Sequence, residues 1–230
     1  MRRGKKTSAI VVAAGKGSRM KADCPKQFIE MLGKPILYYT LNAFEKSEID
    51  EVVIVVSEEY LDYVQKEIVE KYKLKKVSKV IQGGNERYES VYKGLMILGD
   101  SDYVLVHDGA RPFIEAEMIN RVICEVAISD AVIVGVKSKD TVKIVNAEGM
   151  VEMTPDRNYV WNIQTPQAFA YDLLKNAYDI IVSENYTAIT DDAMVVEYAT
   201  KQPIKVIEGS YHNIKITTPE DLKSEYFQGL

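Results

Sequence analysis

Over its first 136 residues, the chain alternates regularly between short apolar runs and amphipathic segments. Runs such as Glu51–Val56 (EVVIVV) are apolar on both faces, which predicts strands buried inside a sheet. Strands that alternate with helices predict an α/β fold with a mostly parallel sheet and helices on both faces. We predict strands over Ser8–Val12, Glu51–Val56, Val77–Ile81, Tyr103–His107 and Ala131–Val136, and helices from Pro35 and over Glu58–Tyr72, Glu86–Leu98 and Glu115–Ile128.

The pattern changes after Val136, where Asp140–Val145 and Met150–Thr154 alternate apolar and polar residues around a turn-forming sequence. We predict an inserted β-hairpin arm at about residues 137–160. An isolated hairpin is marginally stable in water, so the arm packs either on its own domain or on a second subunit. Beyond the arm we predict helices over Tyr171–Glu184 and Asp191–Tyr198, strands over Ile204–Ile207 and Asn213–Thr217, and a last helix from Pro219.

Length and charge narrow the class of protein. The 230 residues contain no linker-like stretch, so we predict a single domain over residues 1–230. A net charge of −5 argues against a general nucleic-acid binder, and no apolar run approaches the ~20 residues that span a bilayer. Cys24 and Cys124 have no metal-ligand spacing. We expect a cytoplasmic protein that binds neither nucleic acid nor membranes.

The loop after the first strand concentrates positive charge in an otherwise acidic protein. Gly15 and Gly17 allow its backbone to approach a ligand and to turn N–H groups toward it. Ligands of open parallel sheets bind beyond the carboxyl ends of the strands, where this loop lies. The loop is therefore predicted to bind an anion through four cations within eleven residues, namely Lys16, Arg19, Lys21 and Lys26.

The loop sequence excludes two familiar nucleotide motifs and resembles a third. The P-loop pattern is absent, and Met20 stands where a dinucleotide fingerprint needs a small residue. The run AAGKGSRM at residues 13–20, followed by Pro25–Lys26, resembles the signature loop of the sugar-phosphate nucleotidyltransferases. The resemblance implies a Rossmann-like nucleotidyltransferase fold in which Arg19 and Lys26 hold a triphosphate and stabilise charge at its α-phosphorus. It also assigns nucleotide binding to Ala13, Ala14, Gly15 and Gly17.

Gly83–Arg87 (GGNER) resembles the GGDER segment of the cytidylyltransferase branch, which faces the nucleotide base. By itself the segment would be a glycine turn with Asn85 as a helix N-cap. Asn85 stands where aspartate is frequent, and backbone contacts to a base would survive that change. The resemblance therefore implies that Gly84, Asn85 and Ser90 help to hold CTP.

The sequence HDGARP at residues 107–112 closes the fourth strand. Asp108 is predicted to support Mg²⁺, a cation that prefers oxygen ligands, and to contact acceptor hydroxyls together with Gly109. His107 is predicted to be a buried, hydrogen-bonded histidine. Two interpretations of Arg111 stay open, since it either contacts an acceptor phosphate or pairs with an acid.

Three later segments resemble the acceptor site of the methylerythritol-phosphate enzymes. Thr141 and Arg157 lie in the segments that flank the hairpin and match positions that reach a neighbouring subunit's site, which implies a homodimer formed through the arm. Thr165, in a TPQ segment, would face the acceptor. Lys215 would bind the acceptor phosphate, although His212 replaces the aspartate of the DNIK motif.

The resemblance implies an enzyme that transfers a cytidylyl group from CTP to a polyol phosphate, namely methylerythritol phosphate in non-mevalonate isoprenoid synthesis, and releases pyrophosphate. Mg²⁺ would be held mainly by the CTP phosphates. The acceptor phosphate is already an anionic nucleophile and needs no general base. Alternatives are a ribitol-phosphate cytidylyltransferase, a non-catalytic nucleotide-binding regulator and a dinucleotide-dependent oxidoreductase. The predicted catalytic residues are Arg19, Lys26, Asp108 and Lys215.

Overall fold

A computed structural model describes residues 4–15 and 24–222. Its strands are β1 (Thr7–Ala13), β2 (Glu51–Val56), β3 (Val77–Gln82), β4 (Tyr103–Asp108), β5 (Ala131–Lys137), β6 (Ile144–Val145), β7 (Val151–Met153), β8 (Trp161–Ala170) and β9 (Lys205–Glu208), beside a short ladder of Glu30–Met31 with Lys34–Pro35. Its helices are α1 (Ile36–Lys46), α2 (Arg87–Ile97), α3 (Ala116–Ser129), α4 (Tyr171–Ser183) and α5 (Asp192–Ala199). Short 3₁₀ turns cover Lys26–Phe28, Arg157–Tyr159 and Pro219–Leu222.

The central sheet has the strand order β9-β5-β8-β4-β1-β2-β3 within the described ranges. β1 pairs in parallel with β2 and β4, β3 pairs in parallel with β2, and β9 pairs in parallel with β5. β8 is antiparallel to both of its neighbours, β4 and β5. The prediction of a mostly parallel α/β sheet is therefore confirmed.

Alternate residues of β1 explain why helices cover both faces of the sheet. Ala9 and Val11 pack in one core with α1 and α3, whereas Ile10 packs in a second core with α2, α4 and α5. All three side chains are completely buried. Since burying a valine or isoleucine contributes about 1.5–3 kcal/mol, both cores stabilise this strand in the middle of the sheet.

β8 is the element whose placement the sequence did not indicate. The segment Trp161–Ala170 forms one strand, with a cis peptide bond at Thr165–Pro166 and a register shift between Ile163 and Gln167. Because it runs against β4, its middle residues lie beside the carboxyl end of that strand. This places Thr165 directly behind Asp108.

The segment between β5 and β8 contains the hairpin β6–β7, whose strands are shorter than predicted. Its apolar side chains face outward: Val145, Val151 and Met153 are each more than half exposed. Tyr159, in the turn that follows, is 83% exposed. A group of exposed apolar side chains on one arm is typical of an interaction surface.

Two local predictions are wrong or incomplete. Asn213–Thr217 forms no strand, because Asn213 is buried with its amide on the Thr165 carbonyl and the chain turns between His212 and Ile214. Glu58–Tyr72 is helical but irregular, with a 3₁₀ turn over Glu58–Tyr60, an α turn over Leu61–Tyr63 and a π-helix over Val64–Glu70. Among the described residues, no helix has the length and apolar character needed to cross a bilayer.

Candidate active site

A cavity of about 260 Å³ opens at the carboxyl edge of the sheet, where β1 and β4 end and α2 begins. The predicted site residues that line it are Ala13, Ala14, Gly15, Lys26, Gly84, Asn85, Ser90, Asp108 and Lys215. The predicted residues Gly109, Arg111, Thr141, Arg157 and Thr165 are not part of this lining. Arg19 and Gly17 lie outside the described residues.

The loop after β1 is tied to the segment that carries Lys26. The side-chain amide of Gln27 donates to the carbonyl of Ala13 at 2.5 Å and to that of Gly15 at 3.2 Å. Gln27 itself is 2% exposed, so these bonds are shielded from water. Phe28 anchors the same turn by stacking on Tyr60, with ring centroids 4.5 Å apart.

The turn before α2 is held by the first residues of that helix. Glu86 is the N-cap and forms a capping box with Glu89, so the alternative in which Asn85 caps the helix is wrong. The hydroxyl of Ser90 accepts the N–H of Gly84 at 3.0 Å and donates to the carbonyl of Glu86. The Asn85 side chain is exposed at the cavity, and the backbone N–H of Asn85 donates to the Glu89 carboxylate at 2.6 Å.

Asp108 is the centre of a charged cluster at the cavity wall. Its Oδ2 lies 2.8 Å from Nζ of Lys215 and 3.8 Å from Nε of Arg111. Its Oδ1 accepts from Nε of Arg87 at 3.3 Å. Burial alone would raise the pKa of this carboxyl, but the charges of Arg87, Lys215 and Arg111 outweigh burial and hold the pKa well below its usual range. Asp108 is therefore ionised at neutral pH.

The contact between Asp108 and Lys215 bears on two sequence expectations. Lys215 finds its counter-charge on β4, so its placement does not require an aspartate at position 212. Arg111 pairs with an acid, and its Nη1 also donates to the carbonyl of Asn213 at 2.8 Å. The structure shows the ion pair of Arg111, and its contact with an acceptor phosphate stays a prediction.

Behind Asp108, a chain of buried hydrogen bonds supports the end of β4. The N–H of Asp108 donates to Oγ1 of Thr165 at 3.0 Å, and that hydroxyl lies 3.1 Å from Nδ1 of His107. Nε2 of His107 lies 3.4 Å from the carbonyl of Arg111. The prediction of a buried, hydrogen-bonded His107 is confirmed. Gly109 packs tightly as well, since an added Cβ would meet Leu37 at 3.0 Å.

Sequence reasoning missed a buried acid at the start of α5. The carboxylate of Asp192 is fully buried and bonds both terminal nitrogens of Arg87, at 3.1 and 2.7 Å. Its neighbour Asp191 is the helix N-cap and accepts from the N–H of Met194. The adjacent acids were the available signal, but two acids at a predicted helix start do not reveal which of them points inward.

The predicted acceptor residues of the arm lie apart from the cavity. Thr141 is exposed, and the exposed Arg157 donates from Nη1 to the carbonyl of Lys139 at 3.2 Å. Neither residue lines the cavity of its own chain. Their predicted contact with an acceptor therefore stays a prediction.

The donor set at the cavity does not favour a metal ion bound by protein alone. In the described parts of the chain, no group of three or more His, Cys, Asp or Glu side chains could hold a metal. Both oxygens of Asp108 are paired with cations, so a metal there would have to displace Arg87 or Lys215. Because Mg²⁺ is usually bound through few carboxylates plus substrate phosphates, a triphosphate would have to supply most of its ligands.

The chain is similar to known proteins over nearly its whole length. The profile of the 2-C-methyl-D-erythritol 4-phosphate cytidylyltransferase family matches residues 7–228. A relative of that name from Lachnoclostridium phytofermentans is 54% identical over 217 residues, which cover 94% of this chain and 93% of the relative. Another from Alkaliphilus metalliredigens is 51% identical and covers 94% and 90%.

Solved structures agree with this similarity. The 4-diphosphocytidyl-2C-methyl-D-erythritol synthase of Anaerococcus prevotii superposes with a TM-score of 0.85 at 39% identity and covers 95% of this chain and 93% of that one. The 2-C-methyl-D-erythritol 4-phosphate cytidylyltransferase of Francisella tularensis gives 0.79 at 30% identity, with 97% and 100% covered. The chain therefore belongs to the 2-C-methyl-D-erythritol 4-phosphate cytidylyltransferase family.

Proposed function

We propose that this protein transfers a cytidylyl group from CTP to 2-C-methyl-D-erythritol 4-phosphate, with release of pyrophosphate, in isoprenoid synthesis. The observation that carries the proposal is the meeting of the first loop, the turn before α2 and the Asp108–Lys215 pair in one cavity. An acceptor phosphate oxygen attacks the α-phosphorus of CTP, and the bond from that phosphorus to the β-phosphate oxygen breaks. No proton has to be removed from the nucleophile.

The nucleotide occupies the side of the cavity formed by the first loop and the turn before α2. The backbone of Ala13, Ala14, Gly15 and Gly17 and the turn at Gly84 and Asn85 hold CTP, with Ser90 supporting that turn. Gly83 brings these two segments together, since a Cβ there would lie 2.7 Å from Ala14 Cβ and from Ser90 Oγ. A nucleotide that contacts Ala14 and Gly84 would therefore be held by two segments that already pack against each other.

The acceptor occupies the side formed by the end of β4 and the segment around Lys215. Lys215 and Arg111 attract its phosphate, while Asp108 and Gly109 face its hydroxyls and Thr165 supports Asp108 from behind. Arg19 and Lys26 grip the triphosphate and stabilise charge at the α-phosphorus during attack. Positioning of two reactants can lower a barrier by ~7–11 kcal/mol, and removing one preorganised donor typically costs ~2.7–4 kcal/mol. Mg²⁺ bound to the CTP phosphates would neutralise part of their charge.

We also propose that the protein acts as a homodimer in which the arm of one subunit completes the acceptor site of the other. The exposed apolar side chains of the hairpin provide the contact surface, and Arg157 then reaches the neighbouring acceptor phosphate. This arrangement explains why Thr141 and Arg157 lie outside the cavity of their own chain.

Mixing two inactive variants tests the shared site. Lys26→Ala and Arg157→Ala chains are unfolded together and refolded as a mixture. If Arg157 acts on the neighbouring subunit, the mixed dimer has one intact site and the mixture recovers about a quarter of wild-type activity. If each chain supplies its own Arg157, both sites of the mixed dimer stay damaged, and no recovery would refute sharing.

A pyrophosphate-release assay tests the reaction itself. CTP, UTP and ATP are each combined with methylerythritol phosphate and with ribitol 5-phosphate, and turnover is expected with CTP and methylerythritol phosphate. Lys26→Ala should lower turnover by about a hundredfold or more, because it removes a donor aimed at the reacting phosphate. Lys66→Ala, at an exposed lysine of the π-helix, is the matched control. Faster turnover with ribitol phosphate would overturn the acceptor assignment.

A further inference from the structure

The buried carboxylate of Asp192 has no role in the reaction as described. Its ion-pair partner, Arg87, nevertheless lines the cavity. The Asp192 carboxylate accepts from both terminal nitrogens of Arg87 and from the hydroxyl of Tyr178 at 2.6 Å. Tyr178 is also completely buried. A buried charge is costly unless it is paired and hydrogen-bonded, and here three donors satisfy it.

The same guanidinium connects Asp192 to the cavity. Arg87 uses Nη1 and Nη2 for Asp192 and directs Nε to Oδ1 of Asp108. The other oxygen of Asp108 holds Lys215 at 2.8 Å. Charges of alternating sign therefore run from the core to the cavity in the order Asp192, Arg87, Asp108, Lys215.

From this geometry we infer that Asp192 is a positioning residue, which acts through Arg87 to hold Asp108 and Lys215 where the acceptor phosphate binds. The inference rests on the proposed function and extends it to a residue that touches neither substrate. Without the Asp192 charge, Asp108 is the remaining carboxylate that Arg87 contacts among the described residues. The fork of the guanidinium then turns toward Asp108 and competes with Lys215 for it.

Burial and charge of Arg87 support this view. Burial by itself would lower the pKa of Arg87, but Asp192 and Asp108 outweigh burial and raise it well above its usual value. The guanidinium is thus a fixed cation shared by two carboxylates. Removing the Asp192 carboxylate changes how strongly Arg87 attracts Asp108, which is the carboxylate at the reacting site.

The competing explanation is that Asp192 and Arg87 only join α5 to α2. In that case, loss of Asp192 lowers stability and leaves the substrate constants of the folded protein unchanged. A positioning role instead affects one substrate, because Asp108 and Lys215 lie on the acceptor side of the cavity. The two explanations differ in the KM for the acceptor.

The experiment measures KM for each substrate and kcat in the pyrophosphate-release assay with Asp192→Asn. We expect KM for methylerythritol phosphate to rise by about tenfold or more, and KM for CTP to stay within about twofold. Asp179→Asn is the matched control, since Asp179 on α4 also pairs with a cation, Lys175, and accepts a tyrosine hydroxyl from Tyr92. Lys175 does not line the cavity, whereas Arg87, the partner of Asp192, does. The constants of Asp179→Asn should equal those of the wild type.

A double variant separates stability from positioning. Asp192→Asn leaves a buried cation short of a partner, so it unfolds more easily, whereas Arg87→Met with Asp192→Asn removes both charges and recovers stability. The double variant has no guanidinium to compete for Asp108, so its KM for the acceptor should return toward the wild-type value. An acceptor KM in the double variant as high as in Asp192→Asn, or equal changes for both substrates in Asp192→Asn, would overturn the inference. An inactive wild-type enzyme would instead refute the proposed function.

Discussion

Acid should destabilise this protein through His107, which is completely buried behind the reacting site. Its hydrogen bonds fit the neutral ring: the Thr165 hydroxyl donates to Nδ1, and Nε2 donates to the carbonyl of Arg111. Burial lowers the pKa of His107 to about 3; the nearby Asp108 charge opposes this shift and the Arg111 charge adds to it. In the unfolded chain the same ring has a pKa of about 6.5.

The sign and size of the effect follow from these two pKa values. Because the folded-state pKa is depressed, the unfolded chain binds the proton first, so the contribution is present above about pH 6.5 and is lost as the pH falls toward 3. Each pH unit within that window costs about 1.4 kcal/mol. Between pH 7 and pH 5, His107 should therefore lower the free energy of unfolding by about 2 kcal/mol.

Urea unfolding at pH 7, 6 and 5 measures this loss in the wild type and in His107→Asn, which cannot take up the proton. The variant should be less stable at pH 7 because it loses ring contacts with Phe44, yet its curve should be flatter by about 2 kcal/mol over the range. His212→Asn measures how much of the pH dependence of stability arises from the other histidine. Equal pH slopes in the wild type and His107→Asn would refute the reasoning.

Two further substitutions test the walls of the site. Gly83→Ala places a Cβ 2.7 Å from Ala14 Cβ and from Ser90 Oγ, so KM for CTP should rise about tenfold or more, while Gly99→Ala, with its nearest atom at 3.8 Å, should leave KM unchanged. Thr165→Val removes the acceptor of the buried Asp108 N–H and should cost about 1–3 kcal/mol in urea unfolding. The exposed Thr187→Val is its control, and equal losses in both threonine variants would contradict the hydrogen-bond argument.

The parts of the fold that the sequence predicted well are those in which one residue pattern has one structural solution. Glu51–Val56 is apolar on both faces, and the observed strand has the same bounds. Charged residues directly after such strands, as at Asp108, could be placed at the carboxyl edge of the sheet without knowledge of any contact.

Other parts depended on contacts between distant segments. The direction of β8 follows from packing between β4 and β5, which no local pattern encodes. Asn213–Thr217 alternates like a strand, but its hydrogen bonds go to Thr165 and Ala110 rather than to a ladder. Asp192 and Gln27 are ordinary polar residues in the sequence, and burial alone distinguishes them.

The bond from Arg111 to the Asn213 carbonyl joins positions 102 residues apart, and it affects the order in which the enzyme can mature. The proposed nucleotide side of the cavity comes from segments that precede β4, whereas Lys215, the proposed acceptor lysine, is synthesised about a hundred residues after β4. The core that packs on α2 also contains residues of β8, α4 and α5, so the turn before α2 is not fully supported until those segments have been made. Competence for catalysis would then be acquired in one late step.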